Sequence, residues 1–207
     1  MAQITKIEEQ KNKKRVNIFV DGDFFCGIGK ETAVSFRLKT GMEINEKILN
    51  EMVFESETKS AFEKGIDYLA SRMHSKSELA QKLLKKGYTS EVIDAAIKKL
   101  ESYSYVNDEI FSKWFFETNS KYSVRVIEGK LRQKGVDNKI IEKVSKNSNP
   151  NKDYELCVKF SQKYLKTKSV ETREEIQKMY AFLARKGFDF ELIKKVCRAQ
   201  LNKDLED

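Results

Sequence analysis

Hydrophobic positions along the chain follow two different periods. Before residue 30 they alternate, in Val16, Ile18 and Val20 and then in Phe24, Cys26 and Ile28, on either side of Asp21-Gly22. Alternation sends successive side chains to opposite faces of a strand, and Asp-Gly between two such runs suits the positive φ values of a type I′ turn. Residues 3–29 therefore predict strands with a hairpin, and Asp21 and Asp23 read as turn formers, not as metal ligands. An earlier strand through Ile4 and Ile7 is placed to pair across the polar Lys11-Asn-Lys-Lys14 turn. Residues 31–39 and 45–55 predict short helices, the first stopped by Gly41 and the second opened by Asn45 as N-cap.

From residue 58 the period becomes helical, with Phe62, Ile66, Leu69 and Met73 at i, i+4, i+7 and i+11. Three segments of this part align without gaps: LLKKGYTSEVI at 83–93, LRQKGVDNKII at 131–141 and LARKGFDFELI at 183–193. Each position that recurs has a local physical reason. Gly87, Gly135 and Gly187 supply the left-handed residue that ends a helix. Lys86, Lys134 and Lys186 complement the negative end of that helix's dipole. Tyr88, Val136 and Phe188 can staple the turn, and Thr89, Asp137 and Asp189 cap the next helix. Upstream, Ser75 with Glu78 and Thr172 with Glu175 fit the capping box, and Ser123 caps the corresponding middle helix.

Each unit thus has three predicted helices: 58–72, 75–86 and 89–103; 107–121, 123–134 and 137–147; 153–168, 172–186 and 189–202. The polar stretch Asn147 to Asn151, with Pro150, separates the second unit from the third. The expected organisation is an N-terminal β-hairpin and short-helix module at 1–57, then repeats at 58–106, 107–147 and 148–207. Three short helices bury little alone, so the expected fold class is mainly α, an elongated, curved array of three tandem three-helix repeats behind the small strand module. Such a fold offers a surface more readily than a pocket.

Charge sharpens that picture. Residues 1–57 hold 9 Lys+Arg against 10 Asp+Glu, whereas residues 58–207 hold 31 against 22, so the net of +8 belongs to the repeats. Every repeat carries the same net, +3. A basic strip repeated along a body suits a periodic polyanion such as DNA or RNA. The densest stretch is 121–134, with Arg125, Lys130, Arg132 and Lys134; Lys82, Lys85 and Lys86, and Lys178, Arg185 and Lys186, are the comparable sets in the outer repeats. Trp114, Phe115 and Phe116 spread around a helix, so most of that cluster should be core.

Catalytic chemistry finds no constellation. Gly27-Ile-Gly-Lys-Glu31 lacks the second half of a P-loop, and His74 has no nucleophile or carboxylate partner evident beside it in sequence. Glu8-Glu9 and Glu174-Glu175 point in different directions and make poor metal clamps. Cys26, Cys157 and Cys197 are widely spaced and read as reduced core residues. No apolar run approaches membrane length and no signal peptide opens the chain, so a cytoplasmic, non-enzymatic monomer without cofactor or metal is expected.

The run IDYLASRMHSKSELAQKLLKKGY, from Ile66 to Tyr88, resembles the opening repeat of the RecX family. YVNDEIFSKWF at 105–115 is similar to the segment that opens the family's second repeat, and KLRQKGVDNKII at 130–141 continues the likeness, which spans about residues 60–200. The N-terminal hairpin resembles the extension of longer members from Gram-positive bacteria. Lys121-Tyr-Ser-Val-Arg125 departs from the family, which more often has a Gly and a further basic residue there. The resemblance implies a protein that lies along the groove of the RecA filament on single- or double-stranded DNA, blocks its extension and damps ATP hydrolysis, strand exchange and co-protease activity. A general DNA- or RNA-binding helical scaffold without a RecA partner is the alternative; a hydrolase would need acidic metal ligands that the sequence does not offer.

Overall fold

The computed structural model describes residues 2–147, 149 and 151–201, so the separating role expected of Pro150 lies outside the described residues. The chain divides into two compact units: residues 1–74 with 78–106, and residues 75–77 with 107–207.

In the first unit, strands β1 (Ala2–Glu9), β2 (Arg15–Val20), β3 (Asp23–Gly29) and β4 (Glu43–Ile44) form one antiparallel sheet in the order β3-β2-β1-β4. The β2–β3 turn has Asp21 at φ 50 and Gly22 at φ 96, the two positive angles that Asp-Gly was expected to supply. Asp21 Oδ1 accepts from Gln3 N at 2.9 Å, so that carboxylate ties the turn to β1. Alternation holds for Val16, Ile18 and Ile28, all buried, but fails at Phe24, which is 60% exposed. The cause is a register shift between Ile18 and Phe19, where β2 and β3 pair Ile18 with Cys26 and then Phe19 with Phe24.

Helix α1 (Lys30–Ser35) is shorter than expected, and α2 (Glu46–Ser71) is one helix where two were expected. Asn45 caps it as anticipated, its side chain accepting from Ile48 N. Nothing between residues 55 and 58 interrupts a helix: Glu55, Ser56, Glu57 and Thr58 include neither Gly nor Pro. The change of face there reflects a change of partner. Leu49 and Met52 join Ile4, Ile18, Ile28 and Ile44 beneath the sheet, while Ala61 joins Leu79, Leu83, Val92, Ala96 and Leu100 in a second core. That second core is closed by α3 (Lys76–Leu84) and α4 (Ser90–Ser102). Thr89 caps α4, accepting from Val92 N.

The second unit holds α5 (Asp108–Thr118), α6 (Val124–Gln133) and α7 (Asn138–Lys146), then α8 (Lys152–Leu165), α9 (Arg173–Arg185) and α10 (Phe190–Leu201). The repeat is visible in burial: Leu83, Leu131 and Leu183 are fully buried, as are Leu79, Ile127 and Met179 one turn earlier. Gly87, Gly135 and Gly187 stand at φ 92, 73 and 91, the left-handed residues the alignment required. Asp137 and Asp189 cap α7 and α10 through Lys139 N and Leu192 N. Thr172 and Glu175 form the expected capping box. All three cysteines are free, Cys157 and Cys197 within the third repeat's core, where burial pushes their thiols up to about 12 and about 11. Phe115 and Phe116 are buried and Trp114 is half-buried, as the spread of three consecutive positions around a helix demands.

Candidate nucleic-acid interface

The candidate cations sit on or just after the middle helix of each repeat. In the first repeat Lys82 is half-buried on α3, its Nζ 4.5 Å from the centroid of the Tyr68 ring, while Lys85 and Lys86 are exposed beyond the helix end. In the second, Arg125 is exposed on the first turn of α6, and Lys130 lies 4.3 Å over Tyr122. Arg132 is exposed but engaged: its guanidinium lies 3.5 Å from Glu128 and donates from Nε to Asn138 Oδ1 at 3.0 Å. Lys134 reaches over Phe115 at 5.6 Å and Phe111 at 6.0 Å. In the third, Lys178 and Arg185 are exposed on α9, Arg185 donating back to Ala181 O, and Lys186 lies over Phe160 at 5.3 Å and Phe182 at 5.4 Å.

Four of these cations fill two recurring seats. Lys82 and Lys130 occupy the same repeat position, five residues before the glycine, and each rests on a tyrosine. Lys134 and Lys186, immediately before it, each rest on a phenylalanine of the repeat's first helix. In every case the ammonium nitrogen itself lies over the ring, a cation–π contact of about 0.5–1 kcal/mol at exposed sites. Within α6 the structure brings Arg125 and Arg132 onto one face, two turns apart, and turns Lys130 away from them. Tyr68 and Tyr122 were missed in sequence, since a lysine-to-ring contact across elements leaves no local pattern.

Two further cations are neutralised nearby. Lys113 and Lys143 both donate to Glu109, and these bonds hold its carboxyl down at about 2. His74 is buried edge-on to Tyr68, with Nδ1 3.8 Å from Glu78 Oε2. Glu78 is thus the carboxylate beside it that sequence did not reveal. No group of three or more His, Cys, Asp or Glu side chains among the described residues could hold a metal, and no described helix is long and apolar enough to cross a membrane.

The serines at the starts of the first two middle helices also reach a neighbouring repeat. Ser123 occupies the N-cap of α6, yet its side chain makes no cap bond; its Oγ donates to Lys186 O at 2.9 Å. The cap is supplied by the next repeat, where Asp153 Oδ1 accepts from Val124 N at 2.9 Å. The same pair of contacts recurs earlier in that unit: Ser75 Oγ donates to Lys134 O at 2.6 Å, and Asp108 Oδ1 accepts from Lys76 N at 2.9 Å. Gly135 and Gly187 lie directly under these helix starts. A Cβ on Gly187 would stand 2.5 Å from Ser123 Oγ and 2.7 Å from Val126 Cγ2.

Comparison with known proteins agrees with this organisation. Residues 2–45 match the regulatory protein RecX N-terminal domain, residues 61–100 the first three-helix domain of RecX and residues 151–197 the third. The regulatory protein RecX of Clostridioides difficile (strain 630) is 33% identical over 212 residues, covering 100% of both chains. That of Bacillus licheniformis is 33% identical over 198 residues, 93% of this chain and 75% of its own. A crystal structure of a regulatory protein RecX aligns with TM-score 0.74 at 26% identity, over 95% of this chain and 98% of that one. RecX from Lactobacillus salivarius shares the fold at TM-score 0.63 and 21% identity, over 69% of this chain and 96% of its own. With its N-terminal sheet, its glycine-marked three-helix repeats and full-length relatives at this level of identity, the chain belongs to the RecX family of regulatory proteins.

Proposed function

We propose that this protein binds the RecA filament on DNA and restrains it, lowering ATP hydrolysis, strand exchange and co-protease activity. The observation that carries the reading is full-length membership of the RecX family of regulatory proteins, a resemblance that implies RecA as the partner. The geometry supports the nucleic-acid half of it. Every repeat presents exposed cations beside its middle helix, Lys85 and Lys86, Arg125, and Lys178 and Arg185 among them. Cations recurring from repeat to repeat match a partner whose phosphates also recur.

The test compares binding of the pure protein to bare single-stranded DNA and to the same DNA coated with RecA, alongside RecA-dependent ATP hydrolysis. The expected result is binding to the filament at least about tenfold tighter, equivalent to about 1.4 kcal/mol, with hydrolysis falling in parallel. Equal affinity for the two and an unaffected ATPase would replace this reading with that of a general nucleic-acid scaffold.

A further inference from the structure

The N-terminal module is close to neutral in total, and its charges are sorted by position. The acidic turn Asp21-Gly22-Asp23 closes one end of β2, and the Lys11-Asn-Lys-Lys14 turn closes the other, about 20 Å away for six residues at roughly 3.3 Å each. At the basic end the chain forms an open-sided cavity of about 830 Å³ bordered by Lys13, Lys14, Arg15, Lys30 and Lys59, with Glu31 and Glu63 as its acidic members. Such a volume falls within the roughly 300–1,000 Å³ of sites that hold sizeable ligands.

The cavity is built by specific contacts. Gln10 N donates to Arg15 O and Arg15 N to Asn12 O, closing the turn; Lys30 N donates to Lys14 O, which sets the start of α1 beside it. Gly29 N donates to Ser56 Oγ at 3.0 Å, fastening the end of β3 to α2. Arg15 is held by Gly27 O at 2.7 Å, Lys30 pairs with Glu9 and Lys59 pairs with Glu31. Lys13 and Lys14 are exposed at the rim. The positive surplus therefore lies on the turn wall, carried on long side chains able to follow an incoming anion.

We infer that this cavity is a second nucleic-acid contact, seating backbone phosphates on Lys13, Lys14 and Arg15 independently of the cations on the repeats. Among the described residues no aromatic side chain lines it, so it offers no stacking platform for a base; the chemistry it can read is the phosphodiester and not the nucleobase. Net charge by segment conceals this site because carboxylates elsewhere in the module cancel it in the sum, among them Asp21 and Asp23 at the far turn, about 20 Å away for six strand residues at roughly 3.3 Å each and so beyond a screening length of about 8 Å.

The inference rests on nucleic acid being a ligand and not on RecA, so it is tested with the full chain, a bare single-stranded oligonucleotide and no RecA. Acetylation of lysines, read by mass spectrometry, should show Lys13 and Lys14 protected several-fold by the oligonucleotide and only weakly by inorganic tripolyphosphate at the same phosphate concentration. The Lys13→Gln/Lys14→Gln variant, altered only at exposed turn positions, should bind the oligonucleotide about three- to tenfold more weakly. Its logarithmic salt slope should fall by about 1.4, or about 0.7 for each single-strand phosphate that the variant no longer neutralises. Unchanged labelling together with unchanged affinity and slope would overturn the inference. Equal protection by tripolyphosphate would overturn the nucleic-acid assignment. Loss of filament preference with this protection intact would instead count against the RecA reading alone.

Discussion

The glycines that mark the repeat are chemically identical but structurally unequal. Gly87 and Gly187 share the left-handed conformation, so an L side chain at either is disfavoured by about 1–2 kcal/mol. Around Gly87 an added Cβ meets nothing within 4 Å, whereas at Gly187 it meets Ser123 and Val126. Neither neighbour yields easily: Ser123 Oγ is committed to Lys186 O, and a β-branched valine has few alternative rotamers. Gly187→Ala should therefore cost about 1–3 kcal/mol more than Gly87→Ala, the usual range for overpacking. Urea unfolding of the two variants checks this, and equal losses would mean that only backbone conformation matters. The left-handed turn was legible at all three glycines, because lysine before and capping residue after are local signals. Their differing surroundings were not, because Ser123 and Val126 lie more than 60 positions away from Gly187 in sequence. Gly65 behaves likewise: inside a helix it reads as a weak point, yet Leu100 Cδ1 stands 2.7 Å from where its Cβ would be, so the missing side chain lets α2 and α4 approach.

Among the elements, the middle helices show how far local rules extend. Sequence finds α3, α6 and α9 to within a few residues and names Thr172, Thr89, Asp137 and Asp189 as caps, since each cap and its helix are adjacent. It also places Ser123 at the start of α6, but the carboxylate that satisfies Val124 N is Asp153, on the first turn of α8 and 29 residues on. A cap borrowed from another repeat has no sequence window. Asp153→Ala should destabilise the chain by about 1 kcal/mol, whereas Asp153→Asn, which keeps an acceptor, should stay within about 0.5 kcal/mol of the parent. Burial raises the Asp153 carboxyl above its ordinary value. A raised carboxyl contributes stability that is present below its unfolded value and lost as pH rises through its folded one, so the Asn variant should gain on the parent as pH climbs through the carboxylate range. Equal denaturation midpoints for the Ala and Asn variants would show that the bond to Val124 N contributes nothing. The opposite failure occurs in α2, split by a change of hydrophobic face that marks a change of partner within one helix.

At the scale of the whole molecule, two expectations follow from how charge and cores are distributed. Reversing Arg125, Lys130 and Arg132 to Glu should weaken binding to bare DNA strongly, weaken binding to the filament less, and flatten the salt response by roughly one logarithmic unit for each phosphate left without its cation. Arg125 is the cleanest of the three, because Lys130 also covers Tyr122 and Arg132 also holds Glu128 and Asn138. A folded triple variant with unchanged affinity and slope would send the search for the binding surface to the outer repeats. The second expectation concerns dissection. The first repeat's core contains no residue before Ala61, while the sheet's core recruits Leu49 and Met52 from the N-terminal half of the shared helix. Deleting residues 1–56 therefore removes the sheet together with the part of α2 that serves it, and the remaining repeats should still melt cooperatively. Deleting only residues 1–45 strips the sheet away but leaves Ile48, Leu49 and Met52 bare on a helix, so that truncation should self-associate. Sedimentation velocity and thermal melts of the two distinguish these outcomes. If the shorter protein loses its cooperative transition, the sheet is part of the foundation on which the first repeat folds, and the boundary expected near residue 57 does not separate independent modules.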